Sequence, residues 1–469
     1  MVSMTTTPPE VRGKMRLGIR VAALALPIVA CYQAVEAPSC RTVADCPSGQ
    51  GYAACEDGYC FTRGHCDGKA PVAGDGCCAV TEGDRTPDTD CLVADLDLGC
   101  RDPAGPVADA LGGLFVTCRS VDAMGISTVV LKRIDPSGTI GSPEVVGPAS
   151  AILPPLVSRG TDVYVAFAGG VVRRDGATGV LTRLESESPV GGLASTGDGD
   201  GFHSVVGWPT ASGDIVLYDE FVAATQVFTA GPTVPGTTGV FPPTVSSSGR
   251  RMYVLWHDGT LHSIETATTP RGAVSSMVLP AHPVAPPVEV DGRIFVALEG
   301  GTLVALAERR PDFQKVWDLS LGGEVAGGLL VDPTGAVTAV LASGDVVVVR
   351  DLVDRGSLVG RGNFGGAVGG LYPFLGAAPR VVAVTAEGTG VTSLRRQDDG
   401  GGVTFDAGLS FGIPVAIVGA PLLIGRQVWM VTGSQRLVAW QFPDDLPAGR
   451  FVRAGADAGG TGRTTAAVP

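Results

Sequence analysis

From about residue 101 the chain consists of short Val-rich runs in which apolar and polar positions alternate, separated by Gly-containing turns. Alternation with a period of two marks strands packed on at least one face. Two stretches, MYVLWHDGTLHSIET (252–266) and IFVALEGGTLVALAE (294–308), align without gaps at an offset of 42. Each reads as a strand, a two-residue turn (Asp258-Gly259 or Gly300-Gly301) and a returning strand, because Gly tolerates the positive φ of hairpin turns. Looser copies lie at 163–179, 337–351, 381–394 and 428–441, and weaker ones at 114–120 and 203–219.

Aligning one strand position selects Phe115, Tyr164, Val205, Tyr253, Phe295, Thr338, Val382 and Trp429, with gaps of 49, 41, 48, 42, 43, 44 and 47 residues. Repeats of roughly 45 residues have the length of a four-stranded propeller blade. A second recurring piece precedes the hairpins, as in LPPLVSRGTDV (153–163), FPPTVSSSGRR (241–251), APPVEVDGRI (285–294) and GAPLLIGRQV (419–428). The expected fold is therefore all-β, an eight-bladed β-propeller of four-stranded antiparallel blades over 101–445. A β-sandwich does not account for in-phase copies, and a helical solenoid does not fit the alternation or the density of Gly and Pro.

This repeat resembles that of the quinoprotein-like (PQQ-type) β-propeller family, over about 340 residues. The resemblance implies either a periplasmic quinone-dependent dehydrogenase or a noncatalytic propeller that binds partner proteins through its loops. Dehydrogenase members carry Ala-x-Asp-x-x-Thr-Gly-x-x-x-Trp in their blades. RRDGATGVLTR keeps Asp175, Thr178 and Gly179 but has Arg183 where the Trp would stand, and the chain has only five Trp. Asn363 is the one Asn of the repeats, so the family's calcium-ligand set cannot be assembled. No catalytic residue, metal ligand or cofactor is assigned.

Upstream, RLGIRVAALALPIVACYQ joins a basic stretch to an apolar run, Val21–Ala30, too short to span a bilayer. It closes on Ile28-Val29-Ala30-Cys31, which resembles a bacterial lipobox. Cys31 is thus the expected lipidation site, 1–30 the signal peptide, and lipid the link to the membrane. Tyr32 in place of Asp favours the outer membrane. All 11 cysteines fall between Cys31 and Cys118. With Cys31 acylated, an even set remains for disulfides in an oxidising compartment: Cys40, Cys46, Cys55, Cys60, Cys66, Cys77, Cys78, Cys91, Cys100 and Cys118. Residues 31–100 read as a disulfide-rich neck, with connectivity open, and 446–469 as a disordered tail.

Removing residues 1–30 takes the net charge from −13 to −16. An acidic chain without a basic stripe does not suit nucleic acid. Other motifs carry little chemistry. GRGNFG (360–365) lacks the strand–helix context of a dinucleotide loop and reads as a loop between blades. Asp84, Asp88, Asp90, Asp95 and Asp97 read as a solvated acidic loop, and Asp198 and Asp200 as a flexible turn. His257 and Asp258 sit at a hairpin tip, with His257 exposed, and His203, His262 and His282 lack metal-ligand spacing. The expected function is a lipid-anchored, noncatalytic protein-binding module of the cell envelope. A propeller enzyme and a surface glycan-binding protein are the alternatives.

Overall fold

The computed structural model describes Ala54–Glu56, Tyr59–Phe61 and, apart from short internal gaps, residues 92–441. Every regular element among the described residues is a strand. No helix there is long and apolar enough to cross a membrane. From Leu92 onward the strands form six four-stranded sheets and one eight-stranded sheet.

One four-stranded series shows the plan: Thr244–Val245, Arg251–Leu255, Thr260–Glu265 and Val274–Val278, each antiparallel to the one before. The next repeats it with Val288–Val290, Arg293–Leu298, Thr302–Arg309 and Asp312–Ser320. First strands of neighbouring series touch one another and fourth strands lie outermost. All eight positions aligned in the sequence fall on second strands.

Second strands are buried on both faces, which explains why their alternation is weak. Tyr253, Leu255 and Leu261 pack forward on Ile294, Val296 and Val304 of the following sheet. Met252, Val254, Trp256 and Ile264 pack backward on Ala194, Val205, Ile215 and Leu217 of the preceding one. Each sheet is thus the filling between two others, and the core is a succession of inter-sheet layers.

The hairpin loops span three residues instead of two. Leu255 pairs with Leu261 and Trp256 donates to the Thr260 carbonyl, leaving 257–259 as the loop. Gly259 has φ +93° and Asp258 does not share it, so one glycine at the loop end does the work.

The first and last strands of the series from Leu92 onward meet. Leu92–Asp97 pairs antiparallel with Arg436–Gln441 and completes the sheet of Leu422–Ile424 and Gln427–Val431. Asp95 forms an ion pair with Arg436, and Asp97 accepts the Gly99 N–H at 2.8 Å. The expected solvated acidic loop is therefore, at Asp95 and Asp97, a paired strand. The division placed at residue 100/101 falls between this strand and the sheets it serves. Cys100 and Cys118 are disulfide-bonded and buried among Leu98, Leu114, Val116, Leu422, Val431 and Leu437, so the first sheet packs against the last.

The GRGNFG stretch is also not a loop: Gly360–Asn363 ends an outer strand, Gly356–Asn363. A Cβ on Gly360 would lie 2.5 Å from the Val403 carbonyl oxygen, and one on Gly362 would lie 2.7 Å from Phe405. Bare backbone lets the strand Val403–Gly412 of the next series approach, and a parallel bridge, Gly360↔Val403, joins two four-stranded series into the eight-stranded sheet.

Candidate functional site

The first-to-second and third-to-fourth turns of an antiparallel sheet lie at the same end. At that end, between the sheets of 244–278 and 288–320, is a cleft of about 480 Å³ lined by Ser246, Ser247, Tyr253, Glu289, Asp291 and Glu308, among others.

Asp291 (φ +50°) and Gly292 (φ +77°) close a two-residue turn between Val290 and Arg293, with both residues left-handed. The turn aims the Gly292 N–H at the Glu289 carboxylate (2.6 Å), which also accepts the Ser247 N–H at 2.5 Å. Burial pushes the Glu289 carboxyl up from its ordinary range, and these two donors pull it back. Opposite, Arg251 pairs with Glu308 and lies 3.3 Å from Glu265. Glu308 also accepts from Ser263 at 3.0 Å and Ser275 at 2.9 Å. Tyr253 is buried, and desolvation together with the nearby Glu289 and Glu308 raises its hydroxyl far above the ordinary range. It therefore stays protonated.

The Glu308 arrangement recurs. Glu308 is the last but one residue of the third strand of one series and binds donors on the second, third and fourth strands of the series before it. Asp351, at the end of Asp345–Asp351, accepts from Arg293 at 3.0 Å and from the Trp317 indole at 2.9 Å in its predecessor. Glu220 accepts the Tyr164 hydroxyl at 2.5 Å. The sequence separations are 56 for Tyr164–Glu220 and 58 for Arg293–Asp351. Each carboxylate reaches back across one sheet interface and locks it. Sequence reading missed these groups, although carboxylates closing successive third strands were the available signal.

The residues weighed from sequence are distributed as follows. Asp175 organises a turn, accepting from the Thr178 N–H (2.7 Å) and hydroxyl (2.8 Å), which hold its carboxyl below the usual range. Arg183, in place of the motif Trp, donates to the Gly169 carbonyl at 2.8 Å and lies over the Phe167 ring. Asn363 donates to Asp345 at 2.5 Å. Asp258 accepts the Thr260 N–H at 2.8 Å, a turn role. His257 is half-buried against Phe241, with ring centroids 4.3 Å apart, and not the exposed residue expected. His262 is buried, with neither ring nitrogen hydrogen-bonded.

Among the described residues no three His, Cys, Asp or Glu side chains stand together as a metal site. Cys55 and Cys60 are paired in backbone register in a two-stranded ribbon. Cys31, Cys40, Cys46, Cys66, Cys77, Cys78 and Cys91, with His203, Asp198 and Asp200, lie outside the described residues.

The sequence matches no family model and no curated protein. Solved structures do match. BamB from Moraxella catarrhalis is 18% identical with a TM-score of 0.50, covering 75% of this chain and 99% of that one. Sqt1 from Chaetomium thermophilum is 13% identical with a TM-score of 0.56, covering 75% and 98%. The C-terminal WD40 domain of Sif2 is 11% identical with a TM-score of 0.50, also covering 75% and 98%. At these identities the likeness concerns the fold. Together with the sheet topology it makes this chain a β-propeller.

Proposed function

We propose that the chain is a lipid-anchored envelope protein whose propeller, of eight blades with the eight-stranded sheet counted as two, is a noncatalytic protein-binding scaffold. The observation that carries this reading is how the charged groups are used. Arg251, Arg293, Glu220, Glu308 and Asp351 are committed to holding sheets together. Beside the polar cleft, the same end of the sheets offers a partner apolar tips: Phe221 is 79% and Val353 74% exposed, both on third-to-fourth turns. Rigid apolar tips on a braced ring suit protein recognition better than bond-making chemistry. The lipobox-like segment ending at Cys31 supports the anchor, and the neck that follows sets the ring off from the membrane.

In-cell cross-linking with mass spectrometry, comparing the native chain with Cys31→Ser, tests this. Envelope proteins captured by the anchored form and lost from the variant are expected. Capture of none by either form would sink the reading. A glycan-binding alternative draws on the cleft, whose lining joins the Tyr253 ring to serine hydroxyls and the Glu289 and Glu308 carboxylates. An oligosaccharide array over the native chain and Tyr253→Phe would decide for or against it.

A further inference from the structure

An outermost strand exposes a row of backbone N–H and C=O groups, and proteins ordinarily guard such edges with charges, bulges or cover. Six of the eight fourth strands here carry charged residues: Glu144, Arg183, Asp312 with Lys315 and Asp318, Arg361, Asp406, and Asp95 with Asp97. The two without charge are Ala224–Thr229 and Val274–Val278. Val274–Val278 packs against the outer strand Asp312–Ser320 of the next sheet. Ala224–Thr229 hydrogen-bonds inward to Asp214–Asp219 in unbroken register and ends its sheet. It has no bulge and no proline, and Ala224 to Val227 are exposed.

The approach to this strand is also built. Asp219 accepts the N–H groups of Phe221 (2.8 Å) and Val222 (3.3 Å), fixing the turn that leads into it. Glu220 ties the same turn to Tyr164 of the preceding sheet. Phe221, Val222 and Val227 are 79%, 60% and 62% exposed, an apolar group beside an edge that no strand among the described residues pairs with. A lipid or a glycan cannot satisfy alternating donors and acceptors at strand spacing. An extended polypeptide backbone can.

We infer that Ala224–Thr229 is a docking edge, onto which an extended segment of a partner polypeptide adds as a fifth strand, with Phe221, Val222 and Val227 as apolar anchors. This rests on the protein-binding reading and names its surface and partner class.

The test is amide hydrogen exchange on the full chain, with an end-blocked seven-residue peptide of alternating threonine and valine as probe. Exchange within 224–229 should slow by about tenfold or more when the peptide is bound. A peptide of the same composition interrupted by proline should have no effect. Val227→Lys, a surface change, should abolish the protection while leaving exchange elsewhere as in the native chain. No protection, equal protection at 274–278, or protection without peptide that grows with protein concentration would overturn the inference, the last in favour of self-pairing. In-cell cross-linking of Val227→Lys separates the two levels. Partners retained by the variant, with exchange unmoved, remove the docking edge alone, whereas the native chain capturing nothing removes the scaffold reading.

Discussion

His262 sits on a third strand, paired with Val254 and Ser276, and is 6% exposed with both ring nitrogens lacking partners. Burial pushes its pKa down from 6.5 to about 4, with Asp258 pulling weakly the other way. The folded chain therefore holds the ring neutral, whereas the unfolded chain takes up a proton near pH 6.5. The unfolded state binds more protons between those values, so stability is lost as pH falls from about 6.5 to about 4 and levels off below. At about 1.4 kcal/mol per unit, the loss attributable to this residue is on the order of 3 kcal/mol.

Urea denaturation of the full chain at steps from pH 7 to pH 4, with His262→Leu alongside, isolates it. His257, also lowered by burial, and Glu289, raised by burial, titrate in both proteins and cancel in the difference. The native chain should lose about 3 kcal/mol more than the variant across this range. Parallel pH curves, or an imidazole proton resonance of His262 that titrates near 6.5, would refute the reasoning.

Replacing Cys100 and Cys118 together by Ala opens a loop of 18 residues and should cost about 3 kcal/mol, read as a lower urea midpoint that reductant does not lower further. Asp351→Asn removes the charge shared by Arg293 and Trp317 and should cost about 2 kcal/mol; an unchanged midpoint would deny the carboxylate its role as an interface lock. Gly301→Ala would place a Cβ 2.0 Å from the Gly323 carbonyl oxygen at φ +73°, for a loss of about 2 kcal/mol, while Gly366→Ala, with nothing within 4 Å, should stay within about 0.5 kcal/mol. Thermal melts of the pair should separate accordingly, and equal melting temperatures would contradict the packing described.

The second strands were legible because their hydrophobic residues recur with the repeat, and every aligned position from Phe115 to Trp429 lies on one. Polar groups that act across interfaces were not. Glu308 and Asp351 serve donors 33 to 58 residues earlier in the chain, and repeat lengths varying from 41 to 49 blur that spacing. Leu92–Asp97 looks polar because, as an outermost strand, it buries little, and only its pairing with Arg436–Gln441 gives it a place. The glycines of GRGNFG carry a packing requirement visible only once Val403 and Phe405 lie across from them. His262 reads as an ordinary polar position in a strand, and its missing partners are a property of the fold. The candidate cleft was likewise invisible, since its lining comes from two repeats.

Asp95 and Arg436 are 341 positions apart, yet they share a sheet. During synthesis the strand bearing Asp95 emerges before any other strand of the ring, and its partner emerges after all the rest. The ring thus has a waiting member. Residues 92–97 stay without their partner until nearly the whole propeller has been synthesised, while the bond between Cys100 and Cys118 can form early and hold the adjoining chain to the first sheet. Completion of the fold is in this sense a proofreading event: a chain cut short before Arg436 lacks the third strand of its last sheet, and the strand Leu92–Asp97 is left open to proteases and chaperones.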